Sequence, residues 1–181
     1  MNSTSPDPIE IRPIMDIAEL RMAFARIAPL FLASVNQDHD YRLDRLLEHF
    51  DVDRELMLIA AGSHGQICGA ALAYREEPGT VKLQALAVDP DVRRERIGTR
   101  LVGELEQRAQ RAGCTSIYLG AEEPARPFYT ALGYSGRRSV LSKSLTGSAL
   151  ATSAETRRER LAILKAARNH RLMNQPQSDV D

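Results

Sequence analysis

Leu86–Leu101 reads LAVDPDVRRERIGTRL. Its apolar run stops at Val88, where a strand ends. Asp89-Pro90-Asp91 is a turn, because proline presets its own φ and aspartate side chains bond nearby amides. Ile97, Leu101, Val102, Leu105, Ala109 and Ala112 then recur mostly at three- and four-residue steps. That is the apolar stripe of a long helix, which Gly113 stops. Arg93, Arg94 and Arg96 lie between strand and helix, and Arg100 sits one turn in. Physically this is an anion site. The first N–H groups of a helix have no partner within it, and the helix dipole adds partial positive charge there. Guanidinium groups add full charges, so a diphosphate is the natural guest. The plainer reading is a solvated basic loop before an ordinary helix start, and the loop alone leaves both open.

Working outward, ELMLIAA (55–61), QICGAALAY (66–74) and VKLQALAV (81–88) read as three strands. They are joined by the glycine-bearing turns GSHG and EEPG. Before them, IEIRPIM (9–15) is a short strand. Ile17, Leu20, Phe24, Ile27 and Phe31 then form a helical face, and Pro29 is expected to kink or split that helix. SVNQDHD is a loop and YRLDRLLEHF (41–50) a second helix. After the long helix come the strand TSIYLG, the short helix PARPFYTALG with early prolines and a closing glycine, and the strand RRSVLSKSL. Three adjacent strands inside a β-α-α-β-β-β-α-β-α-β order predict an α/β sheet of mixed direction, not a doubly wound one.

The chain has 181 residues, 43% hydrophobic and 27% charged, which suits one domain with trimmings. Residues 1–8 read as a loose tail, 9–145 as the domain, and 146–181 as a linker followed by a basic helix. With 24 basic and 24 acidic side chains the net charge is zero, so nothing pulls the whole molecule toward nucleic acid or membrane. Cys68 and Cys114 make no disulfide framework, and neither clusters with histidine as a metal site would require. No metal is expected, both cysteines are expected in the core, and a reducing cytoplasm is the expected compartment. MNSTSPDPIE has neither a basic start nor an apolar run, and no stretch is long enough to span a bilayer. His39, His49, His64 and His170 all read as surface residues.

The Leu86–Leu101 stretch resembles motif A of the GCN5-related N-acetyltransferase (GNAT) superfamily, Gln/Arg-x-x-Gly-x-Gly/Ala after a Leu-Ala-Val-like strand end. Arg93 matches the first position and Gly98 the last. Arg96 replaces the middle glycine, which costs energy if that backbone is left-handed. Motif B is resembled too: Ala125, Tyr129 and Leu132-Gly133-Tyr134 fit in order and spacing, with Glu122 where the family has asparagine. The resemblance covers about residues 9–145.

It implies a mixed, mostly antiparallel sheet flanked by helices, here with an extra C-terminal helix. It implies acetyl-CoA as co-substrate, held by backbone of Leu86, Ala87 and Val88 along the pantetheine arm. Arg93, Arg94, Arg96, Ile97, Gly98 and Thr99 would hold the diphosphate, and an N–H near Val88 would hold the thioester carbonyl. Tyr129 would be the general acid for the departing thiolate. Relatives often carry a glutamate near Gln84, and glutamine accepts no proton at neutral pH. The base therefore stays open among water, Glu76, Glu77, Glu122 and Glu123.

The function implied is transfer of acetyl from acetyl-CoA to a primary amine of a small molecule or peptide, by direct attack. Residues 28–45 would form one acceptor wall. Thr152 and Glu155 have capping-box spacing before ETRRERLAILKAARNHRL (155–172), a basic helix that lies on the domain or docks on a second subunit to make a homodimer. The rival readings are a non-catalytic acetyl-CoA sensor and, on the tail helix alone, a nucleic-acid binder.

Overall fold

Both faces of the central strands are apolar, so both need covering. β2 (Met57–Ala61) sends Leu58 and Ala60 to one face and Met57, Ile59 and Ala61 to the other, and all five are buried. β3 (Ile67–Glu77) divides in the same way: Ala71 and Ala73 against Ala70, Leu72 and Tyr74. Strands with this continuous apolar pattern belong in the middle of a layered α/β structure. The structure, a computed structural model, describes residues 8–32 and 43–145. The expected tail up to residue 7, the loop with His39, and the basic helix with His170 lie outside the described residues.

Six strands form one sheet in the order β1-β2-β3-β4-β5-β6. The others are β1 (Glu10–Pro13), β4 (Thr80–Val88), β5 (Ser116–Gly120) and β6 (Val140–Ser144). Only β4 and β5 run parallel; the other neighbours are antiparallel. A parallel pair needs a long crossover, which α3 (Ile97–Arg111) supplies. The mixed sheet is therefore as expected, and so is the element order.

α3 buries Ile97, Leu101, Val102, Leu105 and Ala109 on one face of the sheet, with Tyr129 of α4 (Arg126–Ala131) in the same cluster. α1 (Ile17–Leu32) and α2 (Leu43–Asp53) cover the opposite face with Leu20, Ala23, Ile27, Leu46 and Phe50. Gly113, at φ 77°, ends α3 in the left-handed conformation that glycine adopts freely.

Pro29 does not split α1, which runs unbroken to Leu32. A proline three residues from a helix end forfeits one ladder bond, while buried Leu20, Ala23 and Ile27 keep the helix on the sheet. Cys114 is buried just before β5, and Cys68 lies within β3. Burial pushes both thiols above their ordinary range, as suits core residues. No helix among the described residues is long and apolar enough to cross a membrane.

Candidate active site

β4 changes character at Gln84. Before it, Leu83 pairs with Ala73; after it, Ala85 pairs with Leu72. Gln84 is the extra residue of a β-bulge, and a bulge reverses which residues face which side. Val81 and Leu83 face the α3 layer, whereas Ala85 and Ala87 face α1 and α2 and Leu86 and Val88 now face α3. The parallel ladder to β5 ends at the same place, with Leu83 opposite Leu119. Beyond it Gly120 pairs only with Val140 of β6, and residues 85–88 keep β3 as their one partner strand among the described residues.

The sheet thus forks, and a cleft of about 760 Å³ fills the fork. One side is β4 from Leu83 to Val88; the other is Gly120–Glu122 with Pro124, Ala125, Phe128 and Tyr129. Leu30 of α1 reaches in from the opposite layer. The end is closed by residues 92–99, apart from Glu95, which does not line it.

That end gathers positive charge: three arginines and the start of α3. Arg100 N donates to Arg96 O at 2.9 Å, so the helical ladder starts there and leaves the N–H groups of Ile97, Gly98 and Thr99 outside it. Arg96 occupies the cap position at φ 58°, ψ 19°, with no side-chain cap bond. Arg94 also has positive φ, 75°. A left-handed backbone costs a non-glycine residue about 1–2 kcal/mol. The cost expected at Arg96 is therefore present, and a second one accompanies it. Arg93, Arg94 and Arg96 are exposed cleft residues. Arg93 donates from Nε to Val88 O at 3.4 Å; Arg94 and Arg96 make no hydrogen bond or ion pair among the described residues. Asp89 steadies the turn before them, accepting from Asp91 N at 3.2 Å and pairing with Arg26 of α1. Gly98 faces α4: a Cβ there would lie in ordinary contact with the Phe128 ring, at 3.4 Å.

Tyr129 is 8% exposed and lines the cleft from α4. Its ring meets Phe128 and Tyr134 edge-on, with centroids 5.0 and 5.8 Å away, which fixes its direction. Tyr134 is buried, and its hydroxyl has no hydrogen-bond partner of ordinary geometry among the described residues. Burial, then the nearby Glu106 carboxylate, push that phenol far above its usual range. Glu106 itself holds Lys143 at 2.8 and 2.9 Å.

Gln84 is 8% exposed, and the Tyr74 hydroxyl reaches its Oε1 at 3.5 Å, the long end of a hydrogen bond. Behind Tyr74, His49 stacks at 4.5 Å and contacts buried Asp53, which also accepts from Arg75 N and Nε. His49 is therefore a packed residue of α2, not the plain surface histidine expected from sequence. Of the four candidate glutamates only Glu122 lines the cleft. Glu76 meets Lys82 and the Tyr118 hydroxyl, and Glu123 pairs with Arg126. No cluster of three or more His, Cys, Asp or Glu able to hold a metal occurs among the described residues.

All ten residues expected at the site border this one cleft. Leu30 falls within residues 28–45, the stretch expected as one acceptor wall, and it too borders the cleft. Sequence reasoning missed Phe128, which reads simply as an apolar residue of the short helix.

The family model described as Acetyltransferase (GNAT) family matches residues 16–134. A GNAT-family acetyltransferase from Staphylococcus aureus Mu50 superposes with TM-score 0.62 at 17% identity, covering 77% of this chain and all of that one. An aminoglycoside 6'-N-acetyltransferase complexed with coenzyme A superposes with TM-score 0.63 at 17% identity, covering 78% and 99%. N-acetylglutamate synthase from Neisseria gonorrhoeae, complexed with coenzyme A and N-acetyl-glutamate, gives TM-score 0.59 at 17% identity, covering 78% of this chain and 36% of its own. These likenesses establish the fold. A comparison with curated proteins finds no match.

Proposed function

The chain belongs to the acetyltransferase (GNAT) family, and from that premise we propose that it moves acetyl from acetyl-CoA to a primary amine of a small molecule or peptide. The observation that carries this is the fork at Gln84, which leaves the backbone of residues 85–88 without a second partner strand among the described residues, in the same cleft as the α3 helix start and its arginines. Those backbone groups suit the amide-bearing pantetheine arm as an added strand would. The amides of Ile97, Gly98 and Thr99, with Arg93, suit the diphosphate. No metal enters the proposal.

The transfer would run by direct attack. The neutral amine adds to the thioester carbonyl, an N–H near Val88 stabilises the oxyanion, and the thiolate leaves as Tyr129 donates its phenolic proton. Neither buried cysteine borders the cleft, which disfavours an acetyl-cysteine intermediate. The amine's proton departs through water or Glu122, the one candidate glutamate that borders the cleft. We place the protein in the cytoplasm, with residues 150–181 helping to form a homodimer. Deleting them and measuring mass and kinetics tests that placement, and an unchanged monomer with unchanged kinetics ends it.

Steady thiol release from acetyl-CoA with an amine library tests the activity. Tyr129→Phe should keep coenzyme affinity and lose turnover roughly 10²-fold or more; full turnover would remove the acid role. A second reading, a non-catalytic acetyl-CoA sensor, is favoured by Gln84 standing at the bulge where a glutamate would serve as base. Coenzyme binding with no turnover across the library would support it.

A further inference from the structure

Arg94 and Arg96 both hold left-handed backbones, although glycine would adopt either one without strain. Strain kept at a site points to something the side chain does there. Neither guanidinium has a hydrogen bond or ion pair among the described residues, and both border the cleft, which points to what fills it.

Charge says what that is. The cations bordering the cleft are Arg93, Arg94 and Arg96, and Glu122 is its one anion among the described residues. The diphosphate already has the amides of Ile97, Gly98 and Thr99, the helix dipole and Arg93. Two guanidinium groups remain in excess. Coenzyme A carries one further anionic group, the phosphate on the ribose 3′ oxygen, and planar guanidinium forks match phosphate oxygens well. We propose that Arg94 and Arg96 bind that 3′-phosphate, so that the site selects acyl-CoA over its 3′-dephospho form. The inference rests on the coenzyme reading above.

The test uses the full chain at low ionic strength, with calorimetric titration of coenzyme A and of 3′-dephospho-coenzyme A. Arg94→Gly, Arg96→Gly and the double variant remove the side chains while keeping the backbone shape, so loss of folding does not confuse the result. Arg138→Gly is the control: Arg138 is a third left-handed arginine, at φ 55° and outside the cleft. Wild type and Arg138→Gly should bind coenzyme A at least roughly tenfold more tightly than the dephospho form. The double variant should bind the two equally. The preference should shrink as salt rises, because exposed charges are screened. Equal affinities in wild type, or a preference that survives in the double variant, would overturn the inference and leave the coenzyme reading standing. Wild type that binds neither molecule would remove the coenzyme reading itself.

Discussion

The two halves of β4 make different uses of one strand. Thr80–Leu83 is paired on both edges, to β3 and to β5, and sends Val81 and Leu83 into the α3 layer. Ala85–Val88 is paired on one edge only, and its side chains have exchanged faces. The first half is bound as a strand within a sheet usually is. The second keeps enough pairing to hold its shape while leaving one edge of backbone for a guest. One inserted residue, Gln84, separates the two conditions, so fold stability and ligand binding should be separable by mutation on either side of it.

The largest expected effect is on the paired side. Ile117 is fully buried and sits opposite Val81. Ile117→Ala should cost about 2–5 kcal/mol in urea unfolding, with little change in slope. Leu86, half-buried on the open side, should cost about 1 kcal/mol when cut to alanine, yet weaken coenzyme binding. Equal stability losses would mean the open half bears as much of the fold as the closed half.

Gln84→Glu acts at the dividing residue itself. With glutamine there, kcat/KM should climb with pH in step with the neutral fraction of the amine. A carboxylate at this 8% exposed position gives the ammonium form somewhere to leave its proton. The variant should gain roughly tenfold at pH 7, and its pH profile should flatten above the new group's own pKa. A profile as steep as wild type would show that the proton leaves elsewhere. Tyr134→Phe then tests the packing behind Tyr129. Its hydroxyl is buried without a partner of ordinary geometry, so phenylalanine should stabilise the protein by about 1 kcal/mol and leave the packing against Tyr129 intact. A lower melting temperature would mean the hydroxyl has a partner after all.

The closed half was legible in periodicity, whereas the open half was legible only through the motif resemblance, which set Leu86, Ala87 and Val88 along the coenzyme arm, for a physical reason. Periodicity reports which residues are apolar and how often. It therefore found the strands, the α3 stripe from Ile97 to Ala109 and the element order. By composition VKLQALAV gives no sign of a bulge beyond its polar Lys82 and Gln84, because the register shift is a property of pairing with β3 rather than of β4 alone. The left-handed backbone at Arg96 was anticipated from the glycine it replaces, whereas nothing local marks Arg94. His49 stacked on Tyr74 depends on where α2 lands, which is tertiary packing.

The smallest effect concerns how α1 is tied to the closed side of the sheet. Arg12 of β1 holds the Glu19 carboxylate through two bonds, of 2.6 and 3.0 Å, and Met15 N adds a third at 2.8 Å. The Arg12 guanidinium, foremost through its hydrogen bonds, keeps the Glu19 carboxyl below its ordinary value of 4.5. A carboxyl with a lowered folded-state pKa contributes stability above its unfolded pKa and loses it as pH falls through the folded one. Unfolding free energy should therefore be level in this respect above pH 5 and decline below about 4.5 as Glu19 protonates. Glu19→Gln should cost about 0.5–1 kcal/mol at pH 7 and remove that part of the acid decline. The same α1 brings Leu30 to the cleft and Arg26 to Asp89. If acid loosens this tie before the sheet, coenzyme affinity should fall at a higher pH than global unfolding, and Glu19→Gln should bring the two transitions together. If the two transitions already coincide in wild type, α1 is held by its buried stripe of Leu20, Ala23 and Ile27, and the ion pair adds nothing separable.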